Sequence, residues 1–261
     1  MEKRLIVRGL LAGAVAAVLA FVFARVFAEP VVGRAIDFED RRADVAHALG
    51  LPHEHRAELF TRGVQANAGL GFGVLIFGVA MGALFAILFC LAYRHAEGIP
   101  PRDLSLRLAA GAFTAVYLVP FVKYPPNPPA VGESDTLGTR TLWYLVAVLA
   151  SVVVAILAAW LGRRLAGRLG AFNAGLSSAG AYVVVITLVM PALPAVNETP
   201  EPMRDASGAI GYPGFPADVL YEFRLVSLGT QLVLWVTIGL VFSVLAGRLL
   251  DEGAERVKSS G

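Results

Sequence analysis

Long apolar segments separated by short polar segments dominate the 261 residues of this chain. Four segments contain no charged residue, and they cover residues 67–93, 141–162, 171–196 and 225–247. A fifth, 7–28, contains only Arg25, close to its end. Because an α-helix needs about 20 apolar residues to cross the ~30 Å hydrocarbon core of a bilayer, each segment predicts a transmembrane helix.

A shorter uncharged run, 108–122, becomes long enough to cross the bilayer if the helix already begins at Leu104, with Arg107 near its end. The predicted fold is therefore an all-α, polytopic membrane helix bundle with six transmembrane helices in one integral membrane domain, residues 1–261. The helices are expected at about 7–28, 67–93, 104–122, 141–162, 171–195 and 224–247. If the short third span does not insert, the number is five.

The distribution of Lys and Arg predicts the orientation, because short cytoplasmic segments of membrane proteins are enriched in these residues. The two termini and the second and fourth loops together hold twelve Lys or Arg against six Asp or Glu. The loops 29–66, 123–140 and 196–223, together with Arg224 directly after the last, hold nine Lys or Arg against fourteen Asp or Glu. Both termini are therefore predicted to be cytoplasmic. An acidic outer face suits a protein that receives cations. It also arises without any such function, because Lys and Arg are depleted from outer loops and acidic residues then predominate there.

Composition excludes several classes of function. Hydrophobic residues make up 57% of the chain and charged residues only 16%, whereas soluble domains carry about 25% charged residues. The single cysteine, Cys90, excludes an intramolecular disulfide and a cysteine-based metal site. Because no P-loop, GxSxG or HExxH pattern occurs, the sequence predicts neither an enzyme nor a nucleic-acid partner.

Histidine and carboxylate side chains cluster in the first predicted outer loop. His53, Glu54 and His55 are adjacent, and His47 lies six residues before them. Imidazole together with carboxylate suits borderline divalent ions such as Co²⁺, Ni²⁺ and Zn²⁺. The same pattern is also common in solvated loops that bind nothing, so both interpretations stay open.

Prolines interrupt the outer ends of the third and fifth predicted helices. Pro120 and Pro191 each free the carbonyl four residues earlier, which belongs to Val116 and Thr187 respectively. The spacing leaves open whether these carbonyls coordinate a cation or the prolines only kink the helices. Each proline is followed by a Pro-Ala-Val string, which hints at an internal repeat such as transporters contain.

Polar side chains near the predicted outer helix ends are candidates for a mouth or gate. They are Asn127, Glu133, Arg140, Glu198, Glu222, Arg224 and Gln231. Asn127 interrupts four prolines within residues 125–129, which predict a stiff backbone that serves as a plug, a partner surface or an ordered turn. Gln231 lies deep in a charge-free helix, where such residues join helices or line a pore.

Four glycines of the second predicted helix lie at spacings that let helix backbones approach closely. They are Gly69, Gly73, Gly78 and Gly82. Packing within the chain is favoured over a dimer face.

Two groups of motifs together resemble the CbtA family of predicted cobalt transporter subunits. The first is Tyr124-Pro125-Pro126-Asn127-Pro128-Pro129-Ala130-Val131-Gly132, followed by Thr136 and Arg140. The second is Phe215-Pro216-Ala217-Asp218, followed by Phe223-Arg224-Leu225 and Ser227-Leu228-Gly229-Thr230-Gln231. The resemblance extends from the first helix to the sixth. A histidine-rich stretch after the first helix is typical of the family, and His53 and His55 lie there.

The resemblance implies cobalt uptake for cobalamin synthesis at the inner membrane of a bacterium. It also implies a partner, the CbtB subunit, which is a very small membrane protein with a histidine-bearing end. The family is usually described with five spans, one fewer than the charge pattern indicates here.

These observations lead to the hypothesis of a membrane subunit that imports a divalent transition metal, above all Co²⁺, without a permanently bound cofactor. His53 and His55 would capture the ion with Glu54, and Asn127, Glu133 and Glu198 would guide it into a mouth between the third, fifth and sixth helices. Two alternatives stay open: a carrier or channel for another solute, and a membrane scaffold that transports nothing.

Overall fold

The computed structural model describes residues 2–50, 69–96, 98–132 and 136–259, the last nine as backbone only. The helices of these residues are α1 Glu2–Phe23, α2 Glu29–Ala48, α3 Leu70–Tyr93, α4 Pro101–Ala112, α5 Val119–Lys123, α6 Leu137–Val189 and α7 Ala217–Ser259. The only strands in the same residues are the antiparallel pair β1 Met203–Arg204 and β2 Ile210–Tyr212. The predicted all-α class is confirmed.

Five helical segments of the described residues are long and apolar enough to cross a membrane. They are Glu2–Ala48, Leu70–Tyr93, Pro101–Lys123, Leu137–Ala192 and Ala217–Leu250. Many of their large apolar side chains are exposed, as expected of helices that face lipid rather than water. The fold is therefore that of a multi-pass membrane protein.

The first helical segment is longer than the sequence indicated. It continues through residues 29–48, which were assigned to an outer loop because they are rich in charge and contain Pro30. Val31, Ala35 and Phe38 are nevertheless buried and lie on one helical face at spacings of four and three residues. This amphipathic pattern extends the helix beyond the apolar run.

Two short π-helices, Ala24–Ala28 and Phe113–Leu118, each lie just before a proline. Glu29 donates its backbone N–H to Ala24, and Val119 donates to Thr114, so both hydrogen bonds reach back five residues. A proline ring has no N–H and clashes with the carbonyl four residues earlier. The widened turns before Pro30 and Pro120 accommodate these prolines without ending the helical segment.

Helix α6 contains the predicted span 141–162 and most of the predicted span 171–195, which ends earlier than expected because the helix stops at Val189 and a short 3₁₀ turn with Pro191 follows. Gly170 lies between them with φ 76° and ψ 160°, which is not helical and suits a glycine. The two halves fold back on each other, since the Ser151 and Tyr182 hydroxyl oxygens are 2.7 Å apart. The six-span count and the cytoplasmic termini remain predictions.

The chain forms two compact units, and each is described by itself. The first comprises Met1–Ala110 and Tyr221–Gly261. In it, helices α1 and α3 cross so closely that a Cβ atom on Gly82 would clash with the Gly9 carbonyl oxygen. Gly78 meets Gly13 in the same way, which confirms packing within the chain for these two glycines.

The second unit comprises Gly111–Leu220. Its apolar core joins three of the predicted spans. Tyr124, Ala147, Ile186 and Met190 are buried there, and Val196 packs against them. The polar residues discussed next are therefore held by a packed apolar layer.

Candidate functional site

Tyr124 attaches the proline-rich loop to the segment that follows the fifth predicted span. Its side chain is buried, and its hydroxyl donates a hydrogen bond to the Pro194 carbonyl at 2.8 Å. Burial raises the pKa of the Tyr124 hydroxyl above its ordinary value. The loop after α5 and the chain after α6 therefore meet, although 70 residues separate their two contact points.

A buried carboxylate lies where these segments meet. The Glu198 side chain is only 4% exposed, and Arg140 Nη1 donates to its Oε2 atom at 3.0 Å. Thr136 Oγ1 donates to Glu198 Oε1, and Asn127 Nδ2 donates to Oε2 at 3.4 Å. Asn127, Thr136, Arg140 and Glu198 are here called the Glu198 cluster.

Local structure explains how Thr136 and Arg140 reach the same carboxylate. They are four residues apart at the start of α6, where the Arg140 N–H donates to the Thr136 carbonyl at 2.9 Å, so their side chains share a face. Thr136 holds the N-cap position, yet its hydroxyl does not cap the helix and binds Glu198 instead. The N-terminal end of a helix also favours a nearby negative charge.

Arg140 has a second partner that ties the cluster to the proline-rich loop. Its Nη2 atom donates to the Pro125 carbonyl at 2.8 Å, and its side chain is 20% exposed. Gly132, at the end of the same loop, has φ 138°, and a Cβ atom there would lie 3.5 Å from Glu198 Oε2. One guanidinium group thus joins the start of α6, the loop and Glu198.

Arg140 also lines a partly open cleft of about 290 Å³. Its other walls include Tyr117, Phe121, Tyr124 and Tyr144. It is here called the tyrosine cleft. Arg140 is thus shared between the wall of the tyrosine cleft and the Glu198 cluster.

The charge of Glu198 is compensated by Arg140, so the cluster as a whole is close to neutral. Its other donors are a hydroxyl and an amide, and all the atoms that could contact a metal are oxygens if Arg140 moves away. Within the described part of the chain, no three His, Cys, Asp or Glu side chains form a group that could hold a metal ion. A cation at Glu198 would have to compete with the Arg140 guanidinium for the same carboxylate.

The two candidate gating prolines lie in different surroundings. Pro120 is fully buried at the start of α5, directly after the second π-helix. Pro191 is exposed in a short 3₁₀ turn, Met190–Ala192, after which the chain continues in an extended conformation at Leu193. Pro191 thus ends the helix and directs the chain toward Glu198.

Three further mouth candidates, Glu222, Arg224 and Gln231, belong to the first unit. Glu222 forms an ion pair with Arg34 of α2, and both side chains are exposed. Arg224 and Gln231 are half-buried on α7, and Arg224 takes part in an interaction with another group. The structure therefore brings together Asn127, Arg140 and Glu198, and it places the other three with different neighbours.

The candidate capture residues are mostly outside the described residues. His53, Glu54 and His55 lie there, and so does Glu133. His47 is described, and it is exposed in the last turn of α2. The predicted histidine site stays a prediction.

The sequence indicates no role for Thr136 or for Arg34. Thr136 precedes a helix by one residue, which is a common place for a capping side chain and hides its contact with Glu198. Arg34 was read as part of a loop, so its helical position opposite Glu222 was not expected. Both contacts join residues far apart in sequence, and no local spacing indicates them.

Comparison with known families gives one match. The family model described as "Probable cobalt transporter subunit (CbtA)" matches residues 2–247. No curated protein and no solved structure matches the chain.

Proposed function

Because the chain belongs to the CbtA family of probable cobalt transporter subunits, we propose that it is the membrane subunit of a transporter that imports Co²⁺. The family match, which covers 2–247 of 261 residues, is the observation that carries this proposal. The helices long enough to cross a bilayer agree with it. A transporter subunit is not an enzyme, so no catalytic residue is assigned.

The proposed setting is the inner membrane of a bacterium, with both termini in the cytoplasm and the imported cobalt serving cobalamin synthesis. The excess of Lys and Arg at the termini and in the second and fourth loops supports this orientation. Co²⁺ is the cargo rather than a resident cofactor.

The proposed route begins at the outer face with His53, His55, Glu54 and His47, which capture the ion. It continues to the Glu198 cluster, where a buried carboxylate lies beside the tyrosine cleft. Glu133, Glu222, Arg224 and Gln231 are further candidates for the mouth, and Pro120 and Pro191 for its gating. Oxygen-rich, partly buried sites of this kind hold divalent cations with part of their water shell.

The description of the family as a subunit implies at least one partner. We propose a very small membrane protein of the CbtB type with a histidine-bearing end. Histidines on such a partner would add imidazole ligands, which suit Co²⁺ better than the oxygens of the Glu198 cluster.

The proposal is tested by uptake of radioactive Co²⁺ into cells that lack their own cobalt importers. This chain is expressed alone, together with the small neighbour, and as the double variant His53→Ala/His55→Ala. The matched control is His95→Ala, an exposed histidine at the opposite end of α3 from the first outer loop. Immunoblotting of membranes confirms equal amounts of protein.

Uptake that requires this chain, falls in the double variant and persists in the His95 control supports cobalt import with capture at the first outer loop. Unchanged uptake in the double variant contradicts capture of the ion by His53 and His55 and still supports cobalt transport by this chain. Absence of uptake in every combination, with the protein present in the membrane, contradicts cobalt import and favours another solute or a scaffold.

A further inference from the structure

We propose that Arg140 is a tethered competitor that occupies a divalent-cation site formed by Glu198, Thr136 and Asn127. A cation binds Glu198 only when the guanidinium group leaves, so arrival of the cargo opens the cluster. This inference rests on the proposed transport function and adds the regulation of its Glu198 cluster.

The burial of the pair supports a role other than stability. Removing a carboxylate and a guanidinium from water costs several kcal/mol per ion, and their attraction often only offsets this cost. Well-packed apolar side chains would serve a purely structural junction equally well. A buried pair that can exchange partners explains why Glu198 is almost fully covered while Arg140 borders a cleft.

The oxygen atoms around the guanidinium define the ligand class. Once Arg140 moves, Glu198 offers two carboxylate oxygens, Thr136 a hydroxyl oxygen and Asn127 an amide oxygen after rotation of its side chain. The Pro125 carbonyl, which now accepts from Arg140, becomes available at the same time. Such a set suits a divalent cation that retains some water, and it distinguishes Co²⁺ from Mg²⁺ only weakly.

The tyrosine cleft gives such a cation a way to reach the site. With about 30 Å³ for each water molecule, a cation with six waters needs roughly 200 Å³, and the cleft offers about 290 Å³. The faces of aromatic rings attract cations. Since Arg140 lies in the wall of the cleft, a cation there repels the guanidinium and approaches Glu198 from the same side.

Departure of Arg140 has a second consequence. Its Nη2 atom holds the Pro125 carbonyl, so the proline-rich loop loses one attachment in the step that fills the cation site. Tyr124 still holds the loop through Pro194, which limits the movement to the part of the loop beyond Tyr124. Cation binding and loosening of the loop are thereby coupled.

The test is calorimetric titration of the purified full chain with cobalt chloride and, in parallel, magnesium chloride. All proteins carry His53→Ala/His55→Ala, which removes the proposed capture site from the measurement. The variants are Arg140→Gln, Arg140→Lys, Glu198→Gln and Arg140→Gln/Glu198→Gln. The matched control is Glu201→Gln, because Glu201 is an exposed acid three residues beyond Glu198.

Arg140→Gln removes the competing positive charge and is expected to tighten the binding of both cations about tenfold. A positive charge beside a carboxylate weakens the binding of a proton to that carboxylate by about ten- to thousandfold, and it should weaken the binding of a metal cation in the same direction. The gain in affinity disappears in Arg140→Gln/Glu198→Gln, because this variant lacks the carboxylate that binds the cation. Arg140→Lys keeps the competing charge and gives no gain, and Glu201→Gln changes nothing. A purely structural ion pair predicts instead that Arg140→Gln weakens binding or leaves it unchanged.

Two outcomes overturn the inference: Arg140→Gln binds no tighter than its parent, or the double variant binds as tightly as Arg140→Gln. If Arg140→Gln does not fold, Arg140→Met, which keeps most of the aliphatic stem, replaces it with the same expected gain. Lack of cobalt uptake by the parent chain in cells would contradict the proposed function and leave the binding result unaffected. The two proposals therefore fail separately.

Discussion

Two Arg–Glu ion pairs, one in each unit, show how burial changes the role of the same chemistry. Arg34 and Glu222 of the first unit have side chains that are 44% and 47% exposed. Arg140 and Glu198 of the second unit have side chains that are 20% and 4% exposed. Exposed pairs contribute little to stability because water screens them, whereas breaking a buried pair leaves a charge without compensation.

The two ion pairs also differ in the side chains that contact their carboxylates. Glu222 forms an ion pair with Arg34 of α2, while Glu198 receives hydrogen bonds from three side chains of the loop and the start of α6. A charge pair at the surface can be lost without consequence for its surroundings. The buried pair organises its surroundings, and changes at the two sites should therefore have unequal effects.

The largest effect is expected from Glu198→Ala. The substitution leaves Arg140 buried without its partner, and the free energy of unfolding should fall by about 3–5 kcal/mol. Denaturant or thermal unfolding in detergent measures the change. Glu201→Ala, on the same segment but exposed, should fall within about 0.5 kcal/mol of the parent. Equal stability of the Glu198 variant and the parent would refute the importance of the buried pair.

A smaller effect is expected from Arg140→Lys. A lysine keeps the charge but cannot donate to Glu198 and the Pro125 carbonyl in the planar geometry of a guanidinium, which costs about 1.5 kcal/mol. Arg34→Lys is the matched change at the exposed pair and should cost almost nothing. Equal losses in the two variants, measured by the same unfolding assay, would remove the distinction between the pairs.

Tyr124→Phe tests the neighbouring attachment of the loop. Loss of the hydrogen bond to Pro194 should cost about 1 kcal/mol at neutral pH. Because burial raises the pKa of Tyr124, the folded state holds this proton more tightly than the unfolded state. The contribution is fully present below the ordinary tyrosine pKa of about 10 and is lost as pH rises through the higher folded value.

The unfolding free energies of parent and Tyr124→Phe should therefore differ less above pH 10 than at pH 8. Other tyrosines titrate equally in both proteins, so the difference between the two reports Tyr124 alone. A difference that grows with rising pH would show that the hydroxyl is not held in its protonated form.

Glu222→Gln should have the smallest effect on stability. The exposed pair with Arg34 is screened by water, and its loss should change the free energy of unfolding by less than about 1 kcal/mol. Added salt should reduce even this difference. A loss as large as that of Glu198→Ala would mean that exposure does not separate the two pairs.

Much of the fold could be predicted because the bilayer imposes a simple rule on sequence. The run 67–93 corresponds to α3, Leu70–Tyr93, and the short run at 104–122 corresponds to the segment Pro101–Lys123. Charge-free length was sufficient for the first, whereas the second also required the residues from Leu104 to Arg107 to be helical. The helical stretch 29–48 was missed because its apolar residues form one buried stripe among charges, and hydropathy averages over that stripe.

The candidate site could be predicted in part. Asn127 and Glu198 were assigned together to a mouth, and Arg140 was chosen separately as a polar residue near a helix end; the structure brings the three together. The ion pair of Arg140 with Glu198 could not be predicted, since 58 residues separate the two and no periodicity connects them. Thr136 was missed because its ordinary role at a helix start conceals a contact made across the fold.

The most direct test of the account is Co²⁺ uptake by cells that express the parent chain, Glu198→Gln or Glu201→Gln, each with the small partner. If Glu198 receives the cation, Glu198→Gln should lower uptake at least tenfold at equal membrane abundance, and Glu201→Gln should match the parent. Uptake by Glu198→Gln equal to that of the parent would contradict the route through the Glu198 cluster.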